Sequence, residues 1–336
     1  MSAPFVEPIY CMSNVHQRPI ADRAPASYEV VGVGDADVDI YLDVPHLPGR
    51  DEKVAATEAG WYPGGMVANF LVALRRLGTP CCFHGLIGAD TFGRMVQANF
   101  ADQDVATDGL IVKPEGSTYY CVVLLDSSGE KALVIAPTDC ISPTPDDIDP
   151  AIIAPARHLH TAGSRLDTAL RAARIAKRHH LTVSLDVENS DSGDSVQLAE
   201  LLALTDLLFV NHGALAALTG PDLSPAAALP VLLVRGPRTV CVTAGARGAW
   251  VGTHDGTWHI PAFPVPVVDS TGAGDTFAAA FVYGYRAGWS PPTSARFAAA
   301  AAALAIGQRG GHHGAPSRDA VASFLAAHPH PPDRPL

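Results

Sequence analysis

From Glu29 to Asp139 the apolar residues fall in short, partly alternating runs: Val30–Val33, Val38–Leu42, Cys81–Ile87, Tyr119–Leu125 and Ala132–Ile135. A period of two buries one face of an extended chain, so these runs are expected as strands. One stretch breaks the rhythm. In Met66–Leu77 the residues Val67, Phe70, Leu71, Leu74 and Leu77 recur at i, i+3, i+4 and i+7, the apolar stripe of a helix that Gly78 ends. Beyond about residue 156 short β-rich runs alternate with helical stretches. Leu159–Thr161, Thr182–Leu185, Leu207–Val210, Thr239–Thr243 and Val265–Val268 are expected as buried strands, with helices near 168–179, 196–204 and 212–218 between them. That alternation is the pattern of right-handed βαβ units, hence of an α/β fold with a doubly wound, mostly parallel, Rossmann-like sheet and helices on both faces. Ala249–Gly252 and Thr257–Ile260, around Asp255-Gly256, predict one hairpin.

Composition narrows the class. With 336 residues, 48% apolar and 17% charged, the chain can bury a large core without disulfides, as one large α/β domain with an accessory piece or as two domains. A formal net charge of −11 disfavours nucleic acid and anionic membranes as partners, though a small anionic substrate can still find a locally positive site. The cysteines, Cys11, Cys81, Cys82, Cys121, Cys140 and Cys241, form no C-x-x-C and suggest neither a disulfide framework nor a zinc cluster. A reducing, cytoplasmic setting is expected. Phe297–Gly307, the longest uncharged apolar run, is far short of the roughly 18–20 residues of a membrane span. Residues 1–28 lack the pattern of a secretory signal and are expected as a flexible extension, 29–327 as the folded domain and 328–336 as a Pro-rich tail.

Each expected strand ends in small or polar residues, Ala162-Gly163, Asp186, Asn211, Gly245 and Asp269, and ligands of open α/β sheets bind outside those ends. The most informative segment is Asp269-Ser-Thr-Gly-Ala-Gly-Asp275. Gly272, Ala273 and Gly274 allow a sharp turn into a helix, so that unpaired N–H groups and the positive end of the helix dipole converge where a phosphoryl group would fit. Asp275, in the first helical turn, is placed to accept a proton from an attacking hydroxyl; the plain alternative is an N-capping Asp after a tight turn. Gly64-Gly65 precedes the amphipathic helix that carries Asn69, whose amide needs a partner, either a bound polyol or a neighbouring backbone group. Asp35, Asp37 and Asp39, in Gly34–Asp39, share a face if the strand alternates, toward ligand hydroxyls or water. Other chemistries fit poorly. No G-x-x-x-x-G-K-[ST] occurs, Gly32-Val-Gly34 lacks the third glycine of a dinucleotide fingerprint, and His158/His160, His179/His180 and His312/His313 lack partners at metal spacing.

Together, three segments resemble one family, the ribokinase-like or PfkB carbohydrate kinases: Gly34 to Asp39 as its G-x-x-x-x-D, Gly64-Gly65 through Asn69 as its glycine pair and helix, and Asp269–Asp275 as its D-T-x-G-A-G-D with Ser in place of the first Thr. The resemblance runs from about Glu29 to Leu325. It implies an ATP-dependent kinase with Asp275 as base and the amides of Gly272, Ala273 and Gly274 as anion hole. Asp39, Gly64, Gly65 and Asn69 would hold the sugar. Thr243, Gly245 and Gly248, in a T-x-G-x-x-G turn, would meet the nucleotide with Asn211 and Thr271, and the Ala-rich 298–307 would wall the adenine. Strands near 38–62 and 105–125 would form a small β-sheet lid, which in this family is sometimes also a homodimer interface. ATP and Mg2+ are the implied cofactors. Similar enzymes often bind a monovalent cation such as K+ through a loop like Asp269–Thr271 and one near Gly310, which is left open for this chain.

One departure stands out. The family's N-x-x-E reads Asn211-His-Gly-Ala214, so its acidic group is missing, and Asp186 and Glu188 are the candidate substitutes as magnesium ligands. The runs His160–Arg165 and Val183–Glu188 are loosely similar to ketohexokinases and sulfofructose kinases, with Arg165 a candidate for an anionic substrate tail. The expected acceptor is a primary hydroxyl of a furanose-form sugar, ketose-type or sugar acid. A nucleoside kinase and a catalytically silent sugar-binding relative are the alternatives.

Overall fold

The computed structural model describes residues 28–126, 131–188, 195–328 and 334–335. The expected N-terminal extension before Tyr28, and most of the Pro-rich tail, lie outside the described residues. In chain order the first half comprises β1 (Val30–Gly34), β2 (Asp37–Val44), β3 (Thr57–Gly64), α1 (Met66–Arg76), β4 (Cys81–Gly88), α2 (Thr91–Asp102), β5 (Ala106–Lys113), β6 (Tyr120–Asp126), β7 (Lys131–Ala136), α3 (Pro150–Ile153) and β8 (His158–Ala162). The second half comprises α4 (Leu166–Arg178), β9 (Thr182–Val187), α5 (Val196–Ala203), β10 (Leu207–Asn211), α6 (His212–Thr219), α7 (Pro225–Leu233) and β11 (Thr239–Thr243). The hairpin β12 (Ala249–Thr253) and β13 (Gly256–Ile260), then α8 (Ala273–Arg286), α9 (Pro291–Ala305), α10 (Arg318–Ala327) and the short β14 (Arg334–Pro335) complete it.

The large sheet runs β14-β13-β12-β11-β10-β9-β8-β1-β4-β5, parallel from β11 to β5, with β12 to β14 antiparallel at one edge. Residues that alternate along β1 separate two cores. Val30 packs with α1, α8 and α9 on one face, while Val31 and Val33 pack with α4 to α7 on the other. Gly32 and Gly34 allow α1 to lie close against β1, since a Cβ on either would come within 2.8 Å of Val67 side-chain atoms. A separate four-stranded sheet, β3-β2-β6-β7, starts with β2 just beyond the carboxyl end of β1. Among the described residues no helix is long and apolar enough to cross a membrane.

Two expectations are corrected. Residues 265–268 are not a strand: Pro264 and Pro266 remove ladder donors, Val267 and Val268 are exposed, and the N–H groups of Val268 and Asp269 turn instead to Ile306 O at 2.8 and 3.2 Å. Of the segment 105–125 expected in the lid, β5 pairs parallel to β4 at the edge of the large sheet, and only β6 enters the small one.

Candidate active site

The chain leaves β1 and enters β2 through Asp35 and Ala36. The carboxylate of Asp35 accepts from the N–H groups of Met66 and Val67 at 3.2 and 3.3 Å, so it serves the N-terminus of α1 rather than sharing the face of its two neighbours. Asp37 and Asp39 do share a face of β2, buried against Gly64, where a Cβ would lie 2.5 Å from Asp37 Oδ1 and 2.7 Å from Asp39 Oδ2. Gly65 has φ 97°, and a Cβ on it would meet Ala36 Cα at 2.7 Å, so this turn requires glycine. Burial, then the Asp39 and Asp35 charges, pushes the Asp37 carboxyl well above its ordinary range. Burial and the Asp269 charge push Asp39 up to about 7, against the pull of Lys131.

Opposite stands the turn into α8. Gly272 has φ 74°, and a Cβ there would reach Gly311 Cα at 2.7 Å, so the loop 306–314 closes directly on it. Ala273 N–H bends back to Ser270 O at 3.3 Å; the N–H groups of a helix's first turn otherwise have no partner within the helix. Asp275 lies buried in this first turn and accepts the Asn69 Nδ2–H at 2.8 Å. Burial, with the Glu188 and Asp186 charges next in weight, raises its carboxyl well above the usual range, while the Asn69 hydrogen bond works the other way. Asp186 is itself pushed up to about 8 by burial and by Glu188, and Glu188, which has solvent access, is raised by the protein mass around it and by Asp35. Among the described residues, Asn69 Oδ1 and Asp37 Oδ1 are buried without a hydrogen-bond partner. Such orphaned acceptors are the groups that ligand hydroxyls satisfy.

The expected nucleotide residues lie along the same ends of the sheet. Thr243 closes β11, and the turn after it is held by Gly245 and Gly248, with φ 54° and 84°, and by the Ala244 N–H donated to Gly248 O at 2.9 Å. Asn211 caps α6, accepting from Ala214 N–H at 2.8 Å. Arg165 is paired with Asp167 at 3.2 Å. Thr271 donates both its N–H and its hydroxyl to Asp269 Oδ1, at 2.9 and 2.8 Å.

Three side chains that sequence reasoning did not place here complete the site. Tyr41 donates its hydroxyl to Asp269 Oδ2 at 2.5 Å. Arg309 forks onto the Asp43 carboxylate at 3.0 and 3.3 Å, with its guanidinium 5.6 Å from the Tyr41 ring, and so clasps β2 to the loop 306–314. Lys131 reaches from β7 to Thr271 Oγ1 at 3.0 Å. Tyr41 was legible only as an aromatic on an expected lid strand; neither cation carries a local signal. The inner histidines are core groups: His158 and His160 both bond Ser184 Oγ at 2.8 Å, and His160 stacks on Phe70 at 3.5 Å.

Comparison with known proteins places the whole fold among characterised relatives. The sequence profile described as "pfkB family carbohydrate kinase" matches residues 28–318. An ATP-dependent ribose-1-phosphate kinase of Halopiger xanaduensis is 32% identical over 304 residues, 88% of this chain and 98% of that protein. The structure of Arabidopsis thaliana ribokinase complexed with ribose and ATP superposes with a TM-score of 0.76 at 28% identity, covering 89% of this chain and 99% of that one. An E.coli protein described as a ribokinase II, in complex with ATP and Mg2+, superposes with a TM-score of 0.78 at 26% identity, covering 90% and 100%.

Proposed function

Because the chain belongs to the pfkB family of carbohydrate kinases, we propose that it transfers the γ-phosphoryl group of ATP to a primary hydroxyl of a furanose-form sugar or sugar derivative. The observation that carries this is the Asp275 carboxylate, buried in the first turn of α8 beside the Gly272–Gly274 turn and fixed by Asn69. In this reading Asp275 takes the proton of the acceptor hydroxyl, whose oxygen forms the new bond to the γ-phosphorus as the bond to the β-phosphate oxygen breaks. The turn amides stabilise the negative charge on the transferred group. Asp37, Asp39, Gly64, Gly65 and Asn69 hold the sugar, and the orphaned oxygens of Asp37 and Asn69 accept its hydroxyls.

Thr243, Gly245, Gly248 and Asn211 border the nucleotide. Mg2+ carried with ATP would offset phosphate charge, and Asp186 and Glu188 would hold it; their mutual crowding beside Asp275 is what a divalent cation relieves. Arg165, paired with Asp167, is less free to meet an anionic tail than the sequence suggested. In this reading ribose and ribose 1-phosphate are the first acceptors to try, ahead of ketoses and sugar acids, which is supported by the names of the relatives. The five described cysteines are free and buried, which fits a cytoplasmic protein. We further propose that two copies pair through the lid, whose edge strand β7 exposes Leu133, Val134 and Ile135.

The test is ADP release with MgATP and a panel of ribose, ribose 1-phosphate, ketoses, sugar acids and nucleosides. Asp275→Asn is expected to lower kcat about 10²–10⁴-fold on the best acceptor. Retention of most of the turnover refutes the assigned base, and preference for a nucleoside refutes the sugar.

A further inference from the structure

The resemblance that pointed to Asp269–Thr271 and Gly310 as a monovalent-cation site meets residues that do not fit one. An ion of that kind is held by oxygen lone pairs aimed at it, and both oxygens of Asp269 are already engaged. Oδ2 accepts the Tyr41 hydroxyl at 2.5 Å and the Gly310 N–H at 2.9 Å. Oδ1 accepts the Thr271 N–H at 2.9 Å and the Thr271 hydroxyl at 2.8 Å. Burial alone would raise the Asp269 carboxyl; these four hydrogen bonds outweigh it and hold the group below its ordinary value, ionised.

A buried negative charge beside a turn that receives a phosphoryl group opposes that group unless something offsets it. The chain supplies a cation of its own. The ammonium of Lys131 donates to Thr271 Oγ1 at 3.0 Å and lies 3.9 Å from Asp269 Oδ1. Its charge also pulls down the carboxyls of Asp39 and Glu188, so its field extends over the acidic cleft as well as Asp269. Arg309, held on Asp43 and over the Tyr41 ring, adds positive charge on the lid side of the same loop. A free metal cation entering here would meet the Lys131 ammonium at close range and be repelled by it.

We propose that Lys131 is a tethered cation that takes the place of a monovalent metal ion: its ammonium balances Asp269 and steadies the Thr271–Gly272 turn, so that phosphoryl transfer proceeds without potassium. Lys131 acts on the turn through Asp269 and Thr271 and is in that sense a positioning residue. Because it rides on β7, the charge reaches the turn with the lid sheet, which links the seating of the lid to the state of the anion site.

The inference rests on the kinase reading only for its kinetic arm, and the experiment separates the two. Thermal unfolding of the full chain is compared in potassium chloride and in tetramethylammonium chloride at equal ionic strength. The two melting temperatures are expected to agree within about 1 °C, whereas a potassium-specific rise overturns the proposal. In the ADP-release assay, wild-type kcat is expected to change less than twofold between the two salts, and a drop of tenfold or more without potassium overturns the proposal. Lys131→Ala is expected to lose at least tenfold in kcat with a smaller change in KM for ATP, to recover part of that loss with added methylammonium, and Lys131→Arg to keep most of the activity. An Ala variant with undiminished kcat, or a loss that methylammonium leaves unmoved, speaks against the tethered charge. If the wild type turns over no acceptor at all, the kinase reading falls, and the salt comparison of melting temperature still decides the cation question.

Discussion

Asn69 and Asp275, 206 positions apart in the chain, meet in a 2.8 Å hydrogen bond from the side-chain amide of the first to the carboxylate of the second. The contact ties the start of α1 to the start of α8. It fixes one oxygen of Asp275 and so sets the direction from which a substrate hydroxyl can approach the carboxylate.

Asn69→Ala is therefore expected to reduce kcat about 100-fold, the size of effect that a loss of alignment near 1 Å produces. Stability should fall by about 1–3 kcal/mol at most, because the substitution removes the unpartnered Asn69 Oδ1 but leaves the buried Asp275 Oδ2 without its donor. Steady-state kinetics on the best acceptor, with a melting curve of the same sample, checks both. A variant with parental kcat shows that Asp275 needs no such anchor.

The acidic cleft predicts an unusual dependence of stability on pH. Asp37, Asp39, Asp186 and Asp275 all have carboxyls raised mainly by burial, Asp39 to about 7 and Asp186 to about 8. A group whose pKa is higher folded than unfolded stabilises the fold fully below its unfolded value, about 4 for Asp, and loses that contribution as pH rises through the folded value. Buried His158, His160 and His312, lowered by burial, pull the other way as pH falls below about 6.5, so the difference between variant and parent is the quantity to follow. Asp186→Asn, measured without ligands, is expected to melt a few degrees above the parent at pH 8, with the gap closing toward pH 5. Equal melting temperatures at pH 8 rule out Asp186 as a carboxylate strained by its surroundings.

What the sequence disclosed, and what it hid, follows from the range of the forces involved. The stripe Val67, Phe70, Leu71, Leu74 and Leu77 lies within one element, so α1 was legible in full, and the glycine turns before Asn69 and Asp275 were legible for the same reason. The expected strand at 265–268 failed because apolar side chains were weighed and the missing proline donors were not. Asp35 was grouped with Asp37 and Asp39 by alternation, yet it precedes β2 and its carboxylate is claimed by the N–H groups of Met66 and Val67. Lys131 and Tyr41 were out of reach as ligands of the Asp269–Thr271 loop. Their partners lie 140 and 228 residues away, and nothing in their own neighbourhoods distinguishes them from any lysine or tyrosine on a strand.

The turn at Gly272 offers a test of whether the amides, rather than Asp275 alone, are essential. A side chain there suffers twice: φ 74° disfavours it, and its Cβ would sit 2.7 Å from the backbone of Gly311. Gly272→Ala is expected to displace the turn and cost about 10²–10³-fold in kcat, the price of losing donors aimed at developing charge. The neighbouring Gly274→Ala meets no atom within 4 Å, so it controls for general damage and is expected to be the milder by at least tenfold. Equal losses in the two variants would assign the effect to the helix start as a whole.

The lid edge yields the last prediction. Among the described residues β7 pairs with β6 alone in the small sheet, and Leu133, Val134 and Ile135 are 47%, 55% and 56% exposed. Successive residues of a strand point to opposite faces, so both faces of this edge are apolar, beside a row of backbone donors and acceptors open to pairing. A second copy that met that surface with the same surface would close the assembly at two and cover the β7 edge, leaving β3 as the outer strand of each small sheet. Light scattering on the purified chain is expected to give twice the chain mass. Val134→Lys, which places a charge on the edge without touching Lys131 or the cleft, is expected to give a monomer with an unchanged circular dichroism spectrum. Its KM for the sugar should rise, because the lid then loses the support of its partner. A wild-type chain that stays monomeric at tens of micromolar, or a Val134→Lys chain that still pairs, removes β7 as the interface.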